Sequence, residues 1–242
     1  MKKKDTFTTK LITLVKFGFK LFLLYTSFSI FYIIFFRFVH LPTSAFIYSK
    51  TENPFRSLFI NSDIKHDPVS LSKISRYAVI AVIASEDQRF FEHFGFDFQQ
   101  IEKAMKENSH RKRIRGASTI TMQVAKNMFL WSRKNFIRKG LEAYYTILLE
   151  LLWSKKRIVE EYLNIAEMGQ GIYGVQAAAS IYYRKDAEKL SINEAATLAA
   201  VLPNPMKRDP RKPGSYLIRR RGEIVEQINL LGGINFLKRY FN

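Results

Sequence analysis

The sequence predicts an all-α, mainly helical protein, with one membrane-spanning helix leading into a helical domain. Three observations carry this. Leu21 to Phe36 reads LFLLYTSFSIFYIIFF and holds no charge. Further on, apolar residues recur at helical spacing, as in Leu141, Tyr145, Leu148 and Leu152. No stretch shows the sustained apolar–polar alternation of a half-buried strand.

The anchor comes first. Phe38 and Val39 extend the apolar run past Arg37, giving roughly the ~20 residues that cross a hydrocarbon core. Lys20 and Arg37 can snorkel to the two interfaces. The first 20 residues hold six lysines against Asp5, so the positive-inside rule keeps this end in the cytoplasm and exports the rest. A cleaved signal peptide is the rival reading, with Pro42 to Ala45 as a loose cleavage site. The expected divisions are a basic N-terminus at 1–20, the span at 21–39, a connector at 40–67 and the domain at 68–242.

Within the domain, Leu71 to Ala84 reads as an apolar helix and Phe98 to Ser109 as the next. His110 to Arg115 is a basic loop, and a third helix should start near Ser118. Helices follow at Ile137 to Trp153 and Lys156 to Ile165. Ser191 and Glu194 form a capping box ahead of Ala195 to Leu202, which Pro203 ends. The last predicted helix is Arg219 to Leu231, closed by Gly232 and Gly233.

The 242 residues carry a formal charge of +18, which favours an anionic partner: nucleic acid, anionic lipid or a phosphate-bearing substrate. Export argues against nucleic acid. With no cysteine, disulfides, zinc thiolates and a cysteine nucleophile are excluded. From Lys103 to Lys139 there are eleven Lys or Arg and one acid, Glu107. The band is either a solvated face or a grip on a phosphate or pyrophosphate. Inside it, Gly116-Ala-Ser-Thr-Ile-Thr121 could offer backbone N–H groups to an anion, or Ser118 could simply cap the helix. Arg138 and Glu142, four apart with Lys134 a turn earlier, form either a surface ion pair or a carboxylate kept ionised among cations.

Ser85-Glu-Asp-Gln-Arg-Phe-Phe-Glu-His-Phe-Gly-Phe-Asp97 delivers two acids from an apolar helix into a turn rich in phenylalanine. Glu86 there is either a solvated end residue or a carboxylate of raised pKa able to accept a proton. His93 reads as a hydrogen-bonded structural histidine ahead of a ligand or catalyst.

Glu86-Asp-Gln-Arg-Phe90 with His93, Gly95 and Asp97 resembles the first motif of the peptidoglycan glycosyltransferases, the chain-polymerising domains of bifunctional penicillin-binding proteins and their single-domain relatives. Gly116 to Asn127 resembles the second motif and Arg138 to Glu142 the third. Lys156-Arg-Ile-Val-Glu-Glu-Tyr-Leu-Asn164 resembles the fourth. Gly171 to Tyr183, then Glu194 to Pro205, resembles the fifth and its sequel. Met122 stands where relatives often have glutamine, and Lys134 where they usually have arginine. Lysine keeps the charge but loses the two-pronged geometry, and Arg133 is the candidate to compensate.

The resemblance implies a lysozyme-like helical lobe beside a small membrane-facing jaw, in a monofunctional biosynthetic enzyme at the inner membrane. The implied substrates are lipid II and the growing glycan strand, with undecaprenyl pyrophosphate leaving and inversion at the anomeric carbon. Glu86 becomes the base. Lys126, Lys134, Arg138, Lys139 and Arg133 hold the pyrophosphate. Glu142 organises them or a divalent cation, Mg or Mn, and Ser118, Gln123 and Asn127 line the cleft. No organic cofactor is implied, and cell-division or wall-synthesis proteins are candidate partners. A lysozyme-like hydrolase or lyase, or a tethered scaffold, is the alternative; neutral glycan needs no pyrophosphate clamp. Ser70-Leu-Ser-Lys73 matches the S-x-x-K pattern of penicillin-reactive serines, but no K-T-G follows and the match reads as accidental.

Overall fold

The computed structural model describes residues 2–40, 64–109, 116–133 and 135–241. The expected connector and the basic loop from His110 to Arg115 lie largely or wholly outside these residues. Two units separate, Met1–Val39 and His40–Asn242.

The first unit is the helix α1 (Lys2–Phe36). It starts well before the uncharged run, so the basic residues and the apolar stretch share one helix. Thr8–Phe36 is long and apolar enough to cross a membrane. Three of its hydroxyls are satisfied within the helix: Thr13 donates to Thr9 O, Thr26 to Phe22 O and Ser29 to Tyr25 O. Self-satisfied polar groups suit a hydrocarbon surrounding, where no water can replace them.

The second unit is built of helices around α2 (Arg76–Glu86). Its seven residues from Ala78 to Ala84 are all buried, so it is apolar on every side and must sit at a centre. The helices α8 (Ile192–Val201), α9 (Ser215–Leu230) and α10 (Ile234–Lys238) pack on it. A second group joins α4 (Ile120–Phe129) to α5 (Phe136–Leu152) and α6 (Lys155–Ile165). The helices α3 (Phe98–Asn108) and α7 (Val175–Tyr183) complete the set among the described residues. A small sheet, which the periodicity gave no hint of, orders β1 (Lys65–His66), β3 (Ile172–Tyr173) and β2 (Glu167–Gly169). β1 runs parallel to β3, pairing Lys65 with Ile172, and β2 runs antiparallel to it.

Tertiary contacts moved several helix ends. The helix expected from Leu71 to Ala84 is a short 3-10 turn, Leu71–Lys73, followed by α2. Ser75 makes the break. Its Oγ accepts from Tyr77 N–H and donates to Leu190 O, while its own N–H donates to Ala187 O. The helix expected near Ser118 is capped by Thr119, whose Oγ1 accepts from Met122 N–H. The Ser191–Glu194 capping box is present. The last predicted helix starts earlier, at Ser215, and α10 follows it after Gly232 and Gly233. Ser70 Oγ shares a hydrogen bond with Ser72 Oγ on the exposed surface.

Candidate active site

Glu86 is the last residue of α2, and Asp87 is its C-cap. A rigid apolar helix thus sets where the two acids emerge. They emerge into different surroundings. Asp87 is buried and fully used: Oδ2 accepts from Ile120 N–H at 3.0 Å and Oδ1 pairs with His93 Nε2 at 2.9 Å. The N-terminal turn of α4 therefore already has its anion, the carboxylate of Asp87. Two N–H groups of this helix start, those of Ile120 and Met122, are thus met from within by Asp87 and Thr119.

Asp97 closes the same turn. It caps α3 by accepting from Gln100 N–H and pairs with Arg89 at 3.3 Å. Gly95 lies between them at φ +75°, and its carbonyl accepts from Thr119 Oγ1. A Cβ here would sit 2.6 Å from Thr146 Cγ2, so both dihedral and space demand glycine. His93, Asp87 and Asp97 converge closely enough to share an ion, but these partners explain the convergence as the internal frame of the turn.

Glu86 is densely surrounded by protein yet keeps a partly open face on a cavity of about 170 Å³. Ser85, Gln88, Arg89 and Ser118 share its walls. The phenylalanines do not line this cavity; Phe90 is buried beneath Lys155, whose ammonium lies 4.6 Å from the ring centre. Gln123 Nε2 donates to Glu86 Oε2 at 3.0 Å, and Tyr162 Oη donates to Gln123 Oε1 at 3.5 Å. Burial pushes the Glu86 carboxyl above its usual range, opposed by the Gln123 hydrogen bond and the charges of Arg220 and Lys126. Burial also pushes the Tyr162 phenol well above its usual range, so it remains a donor.

The cations form a second group. Arg138 and Glu142 are both buried, so they are not the surface ion pair their spacing allowed. Arg138 Nη1 donates to Glu142 Oε2 at 2.8 Å, and the half-exposed Lys139 donates to Oε1. Lys126, on α4, lies within the electrostatic reach of this group and of Glu86. Burial lowers its pKa, the Glu142 carboxylate partly restores it, and Arg138 and Lys139 lower it further. Lys126, Gln123 and Asn127 line a second cavity of about 180 Å³ with Tyr162 and Glu167. Among the described residues, Arg138 Nε and Asn127 Oδ1 are buried without a hydrogen-bond partner.

Glu86, Ser118, Gln123, Lys126 and Asn127 therefore gather around α4 and the end of α2, with Arg138, Lys139 and Glu142 coupled through Lys126. Arg133 is exposed, and Lys134 lies outside the described residues. The groups around Glu142 do not suit the divalent cation that the resemblance left as the alternative to organising the basic side chains. Both carboxylate oxygens already face cations, and Glu142 belongs to no set of three potential ligands among the described residues. Sequence reasoning missed Tyr162, Glu167 and Arg220. Tyr162 had a signal, its place in the Glu160-Glu-Tyr-Leu-Asn164 run; Arg220 had none, since it comes from a distant helix.

The family model described as "Transglycosylase" matches residues 52–229. A biosynthetic peptidoglycan transglycosylase of Mannheimia succiniciproducens is 48% identical over 204 residues, covering 84% of this chain and 83% of its own. One from Pasteurella multocida is 47% identical over 215 residues, with 86% and 87% covered. One from Bacteroides thetaiotaomicron is 56% identical over 167 residues, with 69% and 67% covered. Matched over most of its length, and carrying its motif residues around one cleft, the chain belongs to the transglycosylase family.

Proposed function

We propose that this peptidoglycan glycosyltransferase polymerises glycan strands from lipid II at the outer face of the cytoplasmic membrane. The incoming sugar's 4-hydroxyl oxygen bonds to the anomeric carbon of the growing chain. The carbon–oxygen bond to undecaprenyl pyrophosphate breaks, and configuration inverts. Glu86 takes the hydroxyl proton. A raised pKa suits a base that must hold that proton near neutral pH. Gln123, ordered by Tyr162, aims the carboxylate.

The single observation carrying this reading is a proton acceptor beside a cationic cluster that retains an unmet donor. Arg138 Nε is buried and unbonded among the described residues, next to Lys126 and Lys139. Such a donor suits a developing pyrophosphate charge, and preorganised charges stabilise the transition state without reorganising. Glu142 holds Arg138 and Lys139 in place; no step is assigned to a metal. A hydrolase would have no use for the cluster.

The helix α1 can span a membrane. The lysines ahead of it support a cytoplasmic N-terminus and an exported domain. Purified full-length protein given lipid II should yield glycan polymer, and should release no fragments from preformed glycan. Fragments without polymer would overturn the reading. A reporter fused after Asn242 should be active only when exported; cytoplasmic activity would remove the substrate assignment too.

A further inference from the structure

One aromatic residue of the Glu86 turn, Phe91, closes on a segment that the family match, ending at residue 229, does not reach. Gly232 and Gly233 take positive φ, and Gly233 N–H donates to Ile228 O, turning the chain back after α9. The short helix α10 then packs on α2, burying Leu237. Tyr240 and Phe241 fold over it, both N–H groups donating to Leu237 O. Their rings meet Phe91, five residues after Glu86. Phe91 stacks on Tyr240 with centroids 3.9 Å apart and planes 5° from parallel. Phe241 meets it edge-on at 5.6 Å, and Phe236 lies 5.8 Å away. Phe90 contacts it at 5.1 Å.

We propose that the segment from Phe236 to Phe241 is an aromatic clamp that positions Glu86 by holding Phe91, and with it the turn that carries the base. The rings are not simply more core. Tyr240 is 43% exposed, so its burial contributes little to global stability, whereas its stacked geometry fixes one side chain of one turn. The neighbouring helix α9 grips the same turn twice more. Arg220 donates to Ser85 O, and Gln88 donates to Gln227 Oε1. Residues of α9 and the segment beyond it thus hold both sides of Glu86 in sequence.

The clamp predicts a specific failure when released. Glu86 faces Asp87 in its own turn, Lys126 on α4, Tyr162 on α6 and Arg220 on α9. A loosened turn admits water to the carboxylate, and its proton affinity falls back toward the ordinary range. The cations on α4 and α5 stay where they are, so substrate affinity holds while turnover drops. This inference rests on Glu86 acting as base.

The test uses full-length protein in detergent with Tyr240→Ala, Phe91→Leu and the conservative Tyr240→Phe. Hydrogen exchange across residues 86–97 reads the turn without reference to activity. Tyr240→Ala and Phe91→Leu should speed exchange there and leave α5 and α6 unchanged. Initial rates on lipid II should show kcat lowered about tenfold or more with KM nearly unchanged, and the acid limb of the pH profile moved to lower pH. Tyr240→Phe should restore all three. Unchanged exchange in the turn overturns the clamp. So does faster exchange throughout the domain with a fixed acid limb, which is the signature of global destabilisation. Loss of the base assignment would show separately, as turnover surviving Glu86→Gln, while the exchange data still decide the clamp.

Discussion

Replacing Glu86 by glutamine should move activity and stability in opposite directions. The shape is kept, and the amide oxygen can still accept from Gln123 Nε2, now 3.0 Å from Glu86 Oε2. What is lost is the proton acceptor. General-base assistance contributes about 10²–10⁴-fold, so the barrier should rise by about 3–5 kcal/mol. Stability follows the sign of the pKa shift. Burial raises the folded carboxyl above its unfolded value. In acid both states are protonated and Glu86 costs nothing. As pH rises the unfolded chain ionises first, and stability falls until the folded carboxyl ionises too. The cost is that of ionising a carboxyl shielded from water, and it is moderated here because one face of Glu86 opens to the cleft. Glu86→Gln should therefore be at least as stable as the parent at neutral pH and should match it in strong acid. The assay pairs initial polymerisation rates over pH with thermal unfolding followed by circular dichroism, and lipid II binding measured separately. Near-normal turnover at every pH would refute the base. A variant that melts well below the parent at neutral pH would refute the claim that burial raises this carboxyl.

Four further substitutions probe the frame around it. Glu142→Ala leaves the buried Arg138 uncompensated; breaking a buried pair costs roughly 3–5 kcal/mol, read by urea unfolding, and weaker lipid II binding should accompany it. Lys126→Arg keeps its charge where burial makes lysine discharge early, so any alkaline limb due to Lys126 should move to higher pH; an unmoved limb assigns it elsewhere. Gly95→Ala places a Cβ 2.6 Å from Thr146 Cγ2 at φ +75°, and should cost roughly 2–4 kcal/mol in chemical denaturation. Asn164→Ala removes two 2.9 Å hydrogen bonds, one to each backbone group of Val69; a loss of about 2–3 kcal/mol should appear in the same measurement.

The sequence by itself determined the helical class, the long apolar N-terminal helix and the residue types at the cleft. These are local properties. Charge-free length, three- and four-residue spacing and a Ser191–Glu194 box act over a few residues, and α5, α6 and α8 formed close to where such signals put them. The motif resemblance also named Glu86, Gln123, Lys126, Arg138 and Glu142 before any geometry was known. Only the tertiary structure decided what each neighbour does. The dipeptide Glu86-Asp87 offers two acids on equal terms. Burial against α4 commits Asp87 to Ile120 and His93, while Glu86 keeps an open face. Arg138 and Glu142 have the spacing of a surface pair, and packing of α5 on α4 makes them a buried one. The sequence puts Phe91 five residues from Glu86, yet its ring is held by rings 145 to 150 residues further along the chain. A contact across that separation leaves no periodicity in the sequence. It exists because α9 and α10 pack on α2, and burial, not spacing, assigns the partners.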